Sequence, residues 1–206
     1  MSSKRLPTAE RRAQIAEAAL RIISTQGVRR LTSAALAEQV GIADGTIFRH
    51  FKNKDEIVDA AIDLFEEAIE GAFPAEEGEP LERLGSFVVM RLALVRKRPE
   101  ILRLAFNDRL AEAAGREGAA RVGCLVEKSM TFVRRCLAEA QERGEITQDT
   151  PLALLVWMVI GVVRGAAGND LRRAARERDL SRATPQQVWE SLERFLRSTS
   201  TQKLLP

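Results

Sequence analysis

A chain of 206 residues with 45% hydrophobic and 30% charged side chains, but only 13 Gly and 7 Pro, can bury a core without disulfides and is neither collagen-like nor wholly disordered. Lys and Arg number 32 against 29 Asp and Glu, and a net charge of +3 does not by itself announce a polyanionic partner. Its distribution is more telling: residues 1–56 hold 10 basic and 6 acidic side chains, whereas the remainder holds 22 and 23, so an anionic partner is expected at the N-terminal end.

The N-terminus, MSSKRLPTAERR, has no apolar stretch of the signal-peptide kind, which predicts a cytoplasmic protein. Apolar residues recur at helical spacing, no stretch alternates over several residues, and β-branched residues are sparse, so an all-α fold of about nine helices is predicted. The first helix runs from Thr8, as N-cap after Pro7, to Gln26, with Ile15, Ala19, Ile22 and Ile23 on one stripe and Gly27 as its stop. The second starts at the Thr32 cap and ends before Gly41. The third covers Ala43 to Phe51, and the fourth opens with Asn53-Lys54-Asp55-Glu56, an N-cap with Glu three residues on. Three short helices make a head domain of residues 1–54, and residues 55–206 form the second domain.

From Asp55 to Glu82 there are eleven acids and no Lys or Arg, read either as a solvated helix face or as a surface that keeps the second domain off a phosphate backbone. Pro80 and Pro99 open helices at 80–97 and 99–114. A long helix at 117–143 ends at Gly144, Asp149-Thr150-Pro151 caps another at 150–168, and the box Thr184-x-x-Gln187 starts the last, to Ser198. Residues 169–183 and 199–206 are expected to be mobile. The longest apolar run, Leu152 to Val163, is short of the ~20 residues of a bilayer span. Cys124 and Cys136 fall on one helix roughly 18 Å apart and read as small buried apolar residues, not a disulfide.

Residues 32–51, TSAALAEQVGIADGTIFRHF, have the spacing of a helix-turn-helix. At 100° per residue, Ile47 and Phe51 lie about 40° apart, and Gly45 and Arg49 occupy the opposite direction, flanked by Thr46, Phe48 and Lys52. One face packs on Leu36, Ala37 and Val40; the other lets a foreign backbone approach at Gly45 and lets Arg49 reach a base edge or a phosphate. Lys52, Lys54, Arg29, Arg30, Lys4, Arg5, Arg11 and Arg12 form a basic rim, and the starts of the second and fourth helices add unpaired N–H groups for phosphate oxygens. Asp44 either caps the third helix, which is favoured, or accepts from a cytosine amine. His50, the single histidine, is either a phosphate contact or an ordinary surface side chain. One His and two separate Cys supply no zinc site, and no Gly-rich phosphate loop follows a strand, so neither catalysis nor a metal or other cofactor is expected.

The stretch from Ala9 to Ile57, and most specifically GIADGTIFRHFKNKDEI (Gly41 to Ile57), resembles the TetR family of ligand-responsive transcriptional regulators. The resemblance implies that Thr46, Phe48, Arg49 and His50 lie in or beside the major groove, with Lys54 on a phosphate and Thr32 capping its helix beside another; Gly45 and Lys52 complete the expected DNA-binding set. Ala43 stands where the family usually has Ser or Thr, which leaves about 1 kcal/mol of capping to be supplied otherwise. Phe48 replaces a common Tyr, so a phenol contact to phosphate gives way to apolar contact with a thymine methyl.

In the second domain, a ligand site is expected among Phe87, Arg91, Phe106, Met130 and Trp157, with Ser129, Thr131 and Arg164 as further polar interruptions. Gly161, Gly165 and Gly168 nearly strip one helix face of side chains, which permits close approach of a partner helix. That face, with Val188, Trp189, Leu192, Phe195 and Leu196, is the expected dimer contact. A two-fold dimer sets its heads one DNA turn apart, roughly 34–36 Å. The expected function is a homodimeric repressor released from a near-palindromic double-stranded operator by a small-molecule inducer, with no membrane partner; the alternative is a dimeric helical adaptor without sequence-specific DNA binding.

Overall fold

Caps and stops written into the sequence set most helix ends in the computed structural model, which describes residues 7–167 and 183–198. Lys4, Arg5, Gly168 and, apart from Ala183, the segments expected to be mobile lie outside the described residues. The described elements are α1 (Thr8–Gln26), a 3-10 turn (Val28–Arg30), α2 (Ser33–Val40), α3 (Asp44–His50), α4 (Lys54–Glu70), α5 (Pro80–Lys97), α6 (Pro99–Ala105), α7 (Arg109–Ala113), α8 (Arg116–Glu142), α9 (Leu152–Ala167) and α10 (Pro185–Ser198). There is no strand among the described residues, and the all-α expectation holds. No described helix is long and apolar enough to cross a membrane.

Three local expectations need correction. The helix expected at 99–114 is split, because Asn107 Nδ2 donates to the Arg103 carbonyl at 2.6 Å while its Oδ1 accepts from the Arg109 N–H at 3.0 Å, a side-chain turn that competes with the helical ladder. Pro7, not Thr8, is the N-cap of α1, and it provides no side-chain hydrogen bond. Cys124 is exposed, and only Cys136 is buried.

Packing divides the chain into two compact units, Met1–Gly71 with Glu100–Val126, and Ala72–Pro99 with Glu127–Pro206. In the first, α1 packs on α2, α3, α4 and α7. Ile15, Ile22, Ile23, Leu36, Ile47, Phe51, Ile62 and Phe65 make its core. The turn between α2 and α3 requires Gly41, whose φ of 74° is left-handed. Its N–H meets the Glu38 carbonyl, and the Ile42 N–H meets the Ala37 carbonyl at 2.9 Å, which is the Schellman arrangement that closes a helix end. In the second unit α5 packs on α9 and α10, around Leu84, Phe87, Val88, Leu92, Val159, Trp189, Leu192 and Leu196.

Acids of 55–82 find cations from α8 and from Arg143 just beyond its end. Within the first unit Arg121 bonds Glu66 and, at 2.6 Å, Asp63; within the second Arg135 meets Glu76 at 3.0 Å and Arg143 bonds Glu79. Hydrogen bonds donated to Glu66 and then to Asp63 raise the Arg121 pKa above its ordinary value. The run is therefore partly ion-paired, not simply a solvated face.

Gly85 of α5 is required by close approach: a Cβ there would come within 2.5 Å of Trp189 Nε1 on α10. Gly85→Ala should therefore displace the indole and cost about 1–3 kcal/mol of stability, read as a lowered midpoint in denaturant melts with an altered Trp emission. Unchanged melting and emission would show that Trp189 is not packed as described.

Candidate nucleic-acid interface

The head is organised by what α3 hides. Ile47 and Phe51 are buried, and the opposite face presents Gly45, Phe48 and Arg49, with Thr46 and His50 half-buried beside them. This matches the two faces predicted from the 100° geometry. Phe48 is 57% exposed, a large apolar ring held in solvent. A Cβ at Gly45 would meet nothing within 4 Å, so the chain's own packing gives no reason for glycine there. Asp44 does not cap: Ala43 is the N-cap without a side-chain bond, and Asp44 is the exposed first residue of α3, where its charge complements the helix dipole.

The flanking groups are fixed by neighbouring helix starts. Thr32 Oγ1 accepts from the Ala35 N–H at 3.1 Å and caps α2; Asn53 Oδ1 accepts from the Glu56 N–H at 2.9 Å and caps α4. Lys54 Nζ donates to the Val28 carbonyl at 3.4 Å, which ties its charge to the 3-10 turn carrying the exposed Arg29 and Arg30. Lys52 and Lys54 are exposed. The imidazole Nδ1 of His50 is buried with no hydrogen-bond partner among the described residues.

Two members of the expected basic rim do other work. Arg11 is buried and donates to Gln14 Oε1 at 2.9 Å. Arg12 is half-buried over the Phe51 ring, 4.1 Å from its centroid, and donates to the backbone oxygen of His50 and to Glu56 Oε1 at 2.9 Å. Glu56 Oε2 in turn accepts from the Lys52 N–H at 2.7 Å. One carboxylate on α4 thus clamps α1 and the segment leaving α3, a link that sequence spacing does not reveal because Arg12 and Glu56 stand 44 residues apart.

The Lys52 N–H and then the Arg12 guanidinium hold the Glu56 carboxyl below the usual carboxylate pKa. A depressed acid contributes stability above its unfolded-state pKa and loses it as pH falls through the folded-state value. Glu56→Gln should therefore flatten the acid limb of the thermal-stability profile while leaving the α4 cap intact. An acid limb identical to that of the unaltered chain would show that the clamp does not form.

In the second unit, Phe87 and Arg91 of α5 stand together, the guanidinium 4.8 Å from the Phe87 and Phe73 centroids and bonded to Ser129 Oγ at 3.2 Å. Met130, next to Ser129, is half-buried. Phe106 belongs to the other packing unit, between α6 and α7. Trp157 is 66% exposed on α9, so it is not the buried ligand contact expected of it. Phe73 and Phe132, absent from the expected set, complete an aromatic cluster: Phe87 and Phe132 stack at 5.3 Å, and Phe73 meets Phe132 edge-on at 5.8 Å.

The expected dimer residues separate. Trp189, Leu192 and Leu196 are buried inside their own unit, because α10 turns its apolar stripe onto α5, and so they are not a partner surface. Val188 and Gly165 are half-buried; Phe195 and Gly161 are exposed. The exposed apolar stripe is instead Leu154, Trp157, Met158 and Gly161 on α9, of which the expected dimer set holds only Gly161. Their i, i+3, i+4, i+7 spacing was a sufficient signal.

Residues 15–67 match the model of the bacterial regulatory proteins of the tetR family. The chain is 32% identical over 171 residues, 77% of its length, to the Probable HTH-type transcriptional regulator ArpR of Pseudomonas putida, of which it covers 79%. It is 29% identical over 165 residues, 79% of its length, to the nucleoid occlusion factor SlmA of Alteromonas mediterranea, of which it covers 84%. A solved structure of AibR in complex with isovaleryl coenzyme A and operator DNA shares the fold, with a TM-score of 0.65 at 18% identity over 91% of this chain and 98% of that one. The chain belongs to the TetR family, whose members are DNA-binding regulators and not enzymes.

Proposed function

We propose that this DNA-binding regulator is a sequence-specific homodimeric repressor, with residues 1–54 as its DNA-binding domain and 55–206 as its ligand-binding and dimerisation domain. The observation that carries the reading is the outward face of α3, where Gly45, Phe48 and Arg49 are exposed and are put to no use among the described residues. An exposed ring among cations suits a thymine methyl in the major groove, and Arg49 suits the paired acceptors of guanine. Gly45 allows close approach, Thr46 and His50 flank the reading face, and Lys52, Lys54 and the Thr32-capped start of α2 bind phosphates.

The partner on α9 is a second copy. Leu154, Trp157, Met158 and Gly161 form an unpartnered apolar stripe with a glycine that lets two helices approach, and a self-complementary stripe closes by a two-fold axis. Phe195 of α10 adds to the same contact. Two heads so related demand a near-palindromic operator with half-sites one turn apart, roughly 34–36 Å. A small molecule in the second domain releases the operator by favouring a head spacing that no longer fits adjacent grooves.

Salt titration of duplex binding tests the reading. The log–log slope should approach −0.9 per phosphate contact, and a preferred sequence should keep its advantage as salt rises. A slope near zero would leave only the adaptor alternative. The likeness to the nucleoid occlusion factor SlmA over 79% of this chain favours a second reading, a DNA-binding factor that acts in nucleoid occlusion. Chromosomal sites spread without regard to promoters would favour that one.

A further inference from the structure

In the second unit Arg91 is 2% exposed, on the inner face of α5. Its Nη2 donates to the Ser129 hydroxyl, but Nη1 is buried with no hydrogen-bond partner among the described residues. The Phe73 and Phe87 rings, both 4.8 Å from the guanidinium carbon, attract the charge without supplying a lone pair to the remaining N–H groups. Burial draws the Arg91 pKa down to about 10, so the group is still a cation at neutral pH. A buried guanidinium normally has a carboxylate or phosphate as counter-ion, because its charge is costly to desolvate and its planar fork matches those oxyanions. The neighbouring α8 offers a hydroxyl there instead of an acid.

We propose that Arg91 is the anchor for the carboxylate of a monoanionic, largely apolar ligand, whose hydrocarbon or aromatic body lies against Phe73, Phe87 and Phe132. One buried cation neutralises one negative charge, so a phosphate dianion would leave an excess charge in an aromatic surrounding. The proposal names the ligand class of the domain read above as ligand-binding, and it rests on that reading.

The test uses the full chain without DNA, with octanoate and phenylacetate as probes, their neutral amides octanamide and phenylacetamide as controls, and inorganic phosphate as a tailless anion. The acids should bind at least tenfold more tightly than the amides and raise the melting temperature, and phosphate should do neither. Arg91→Gln should remove the difference between acid and amide. Arg91→Met, which takes away an uncompensated charge, should melt at or above the unaltered protein in the absence of probe. Equal binding of acid and amide, no binding of either acid, or a large fall in melting temperature for Arg91→Met would overturn the proposal, the last by showing that the guanidinium is a structural element. Operator release is then scored separately. Release by a neutral compound with no acid binding refutes the anchor and spares the repressor reading; acid binding with no change in operator affinity supports the anchor and counts against induced release.

Discussion

Replacing Trp157 by Glu is expected to give a folded monomer whose operator affinity is at least 100-fold lower than that of the unaltered protein. The indole is 66% exposed, so its removal takes little from the chain's own core, and the fold should survive. In the proposed dimer the same position is central in the stripe of Leu154, Trp157, Met158 and Gly161, and the two-fold would bring two new carboxylates into one apolar contact, where each is desolvated without a partner. Loss of the dimer then separates the two heads, and each half-site must be bound alone. Sedimentation equilibrium and operator titration on the same preparation check both parts. Trp189→Glu is the contrasting control: that indole is buried against Gly85, and a charge there should unfold the second unit. A Trp157→Glu protein that remains dimeric would remove α9 from the interface.

Arg49→Ala should cost about 1–3 kcal/mol in discrimination between operator and scrambled duplex, because a side chain on the exposed face opposite Ile47 and Phe51 is placed to read a base edge. Lys54→Ala should weaken both duplexes alike and lower the salt slope by about 1, if the ammonium tethered beside the 3-10 turn has the proposed phosphate role. The two variants therefore differ in kind, and a pair of titrations at several salt concentrations separates them. Identical losses of discrimination would defeat the division of roles between α3 and the start of α4.

The chemistry of short range was legible in the sequence. Thr32, Asn53 and the reciprocal pair Thr184 and Gln187 cap the helices they were expected to cap, since each needs only a side-chain oxygen two or three residues from an orphan N–H. The two faces of α3 were legible because rotation about a helix is fixed by residue number. The break at Asn107 was hidden, because an Asn in an otherwise helical pattern gives no sign of whether its amide turns back on the main chain. Most of what was missed depends on partners distant in the sequence. Arg12 reads as one more cation of a basic rim until Glu56 is folded against it. Trp157 and Trp189 both lie on apolar helices, and what buries the second is the empty space above Gly85, whereas the described residues of its unit leave the first largely exposed. Arg91 stands out in the sequence as a polar interruption, but its unmet Nη1 emerges only once Phe73, Phe87 and Ser129 are packed around it.

Selection of duplexes from a random library by the full chain, repeated with Gly45→Glu, probes the outward face of α3 most directly. The unaltered protein should enrich a near-palindrome whose half-sites lie one helical turn apart, and the variant, which places a bulky anion on an open surface without disturbing the head's core, should enrich none. Enrichment of the same sequence by both proteins, or of no sequence by either, would contradict the assignment of that face to the major groove.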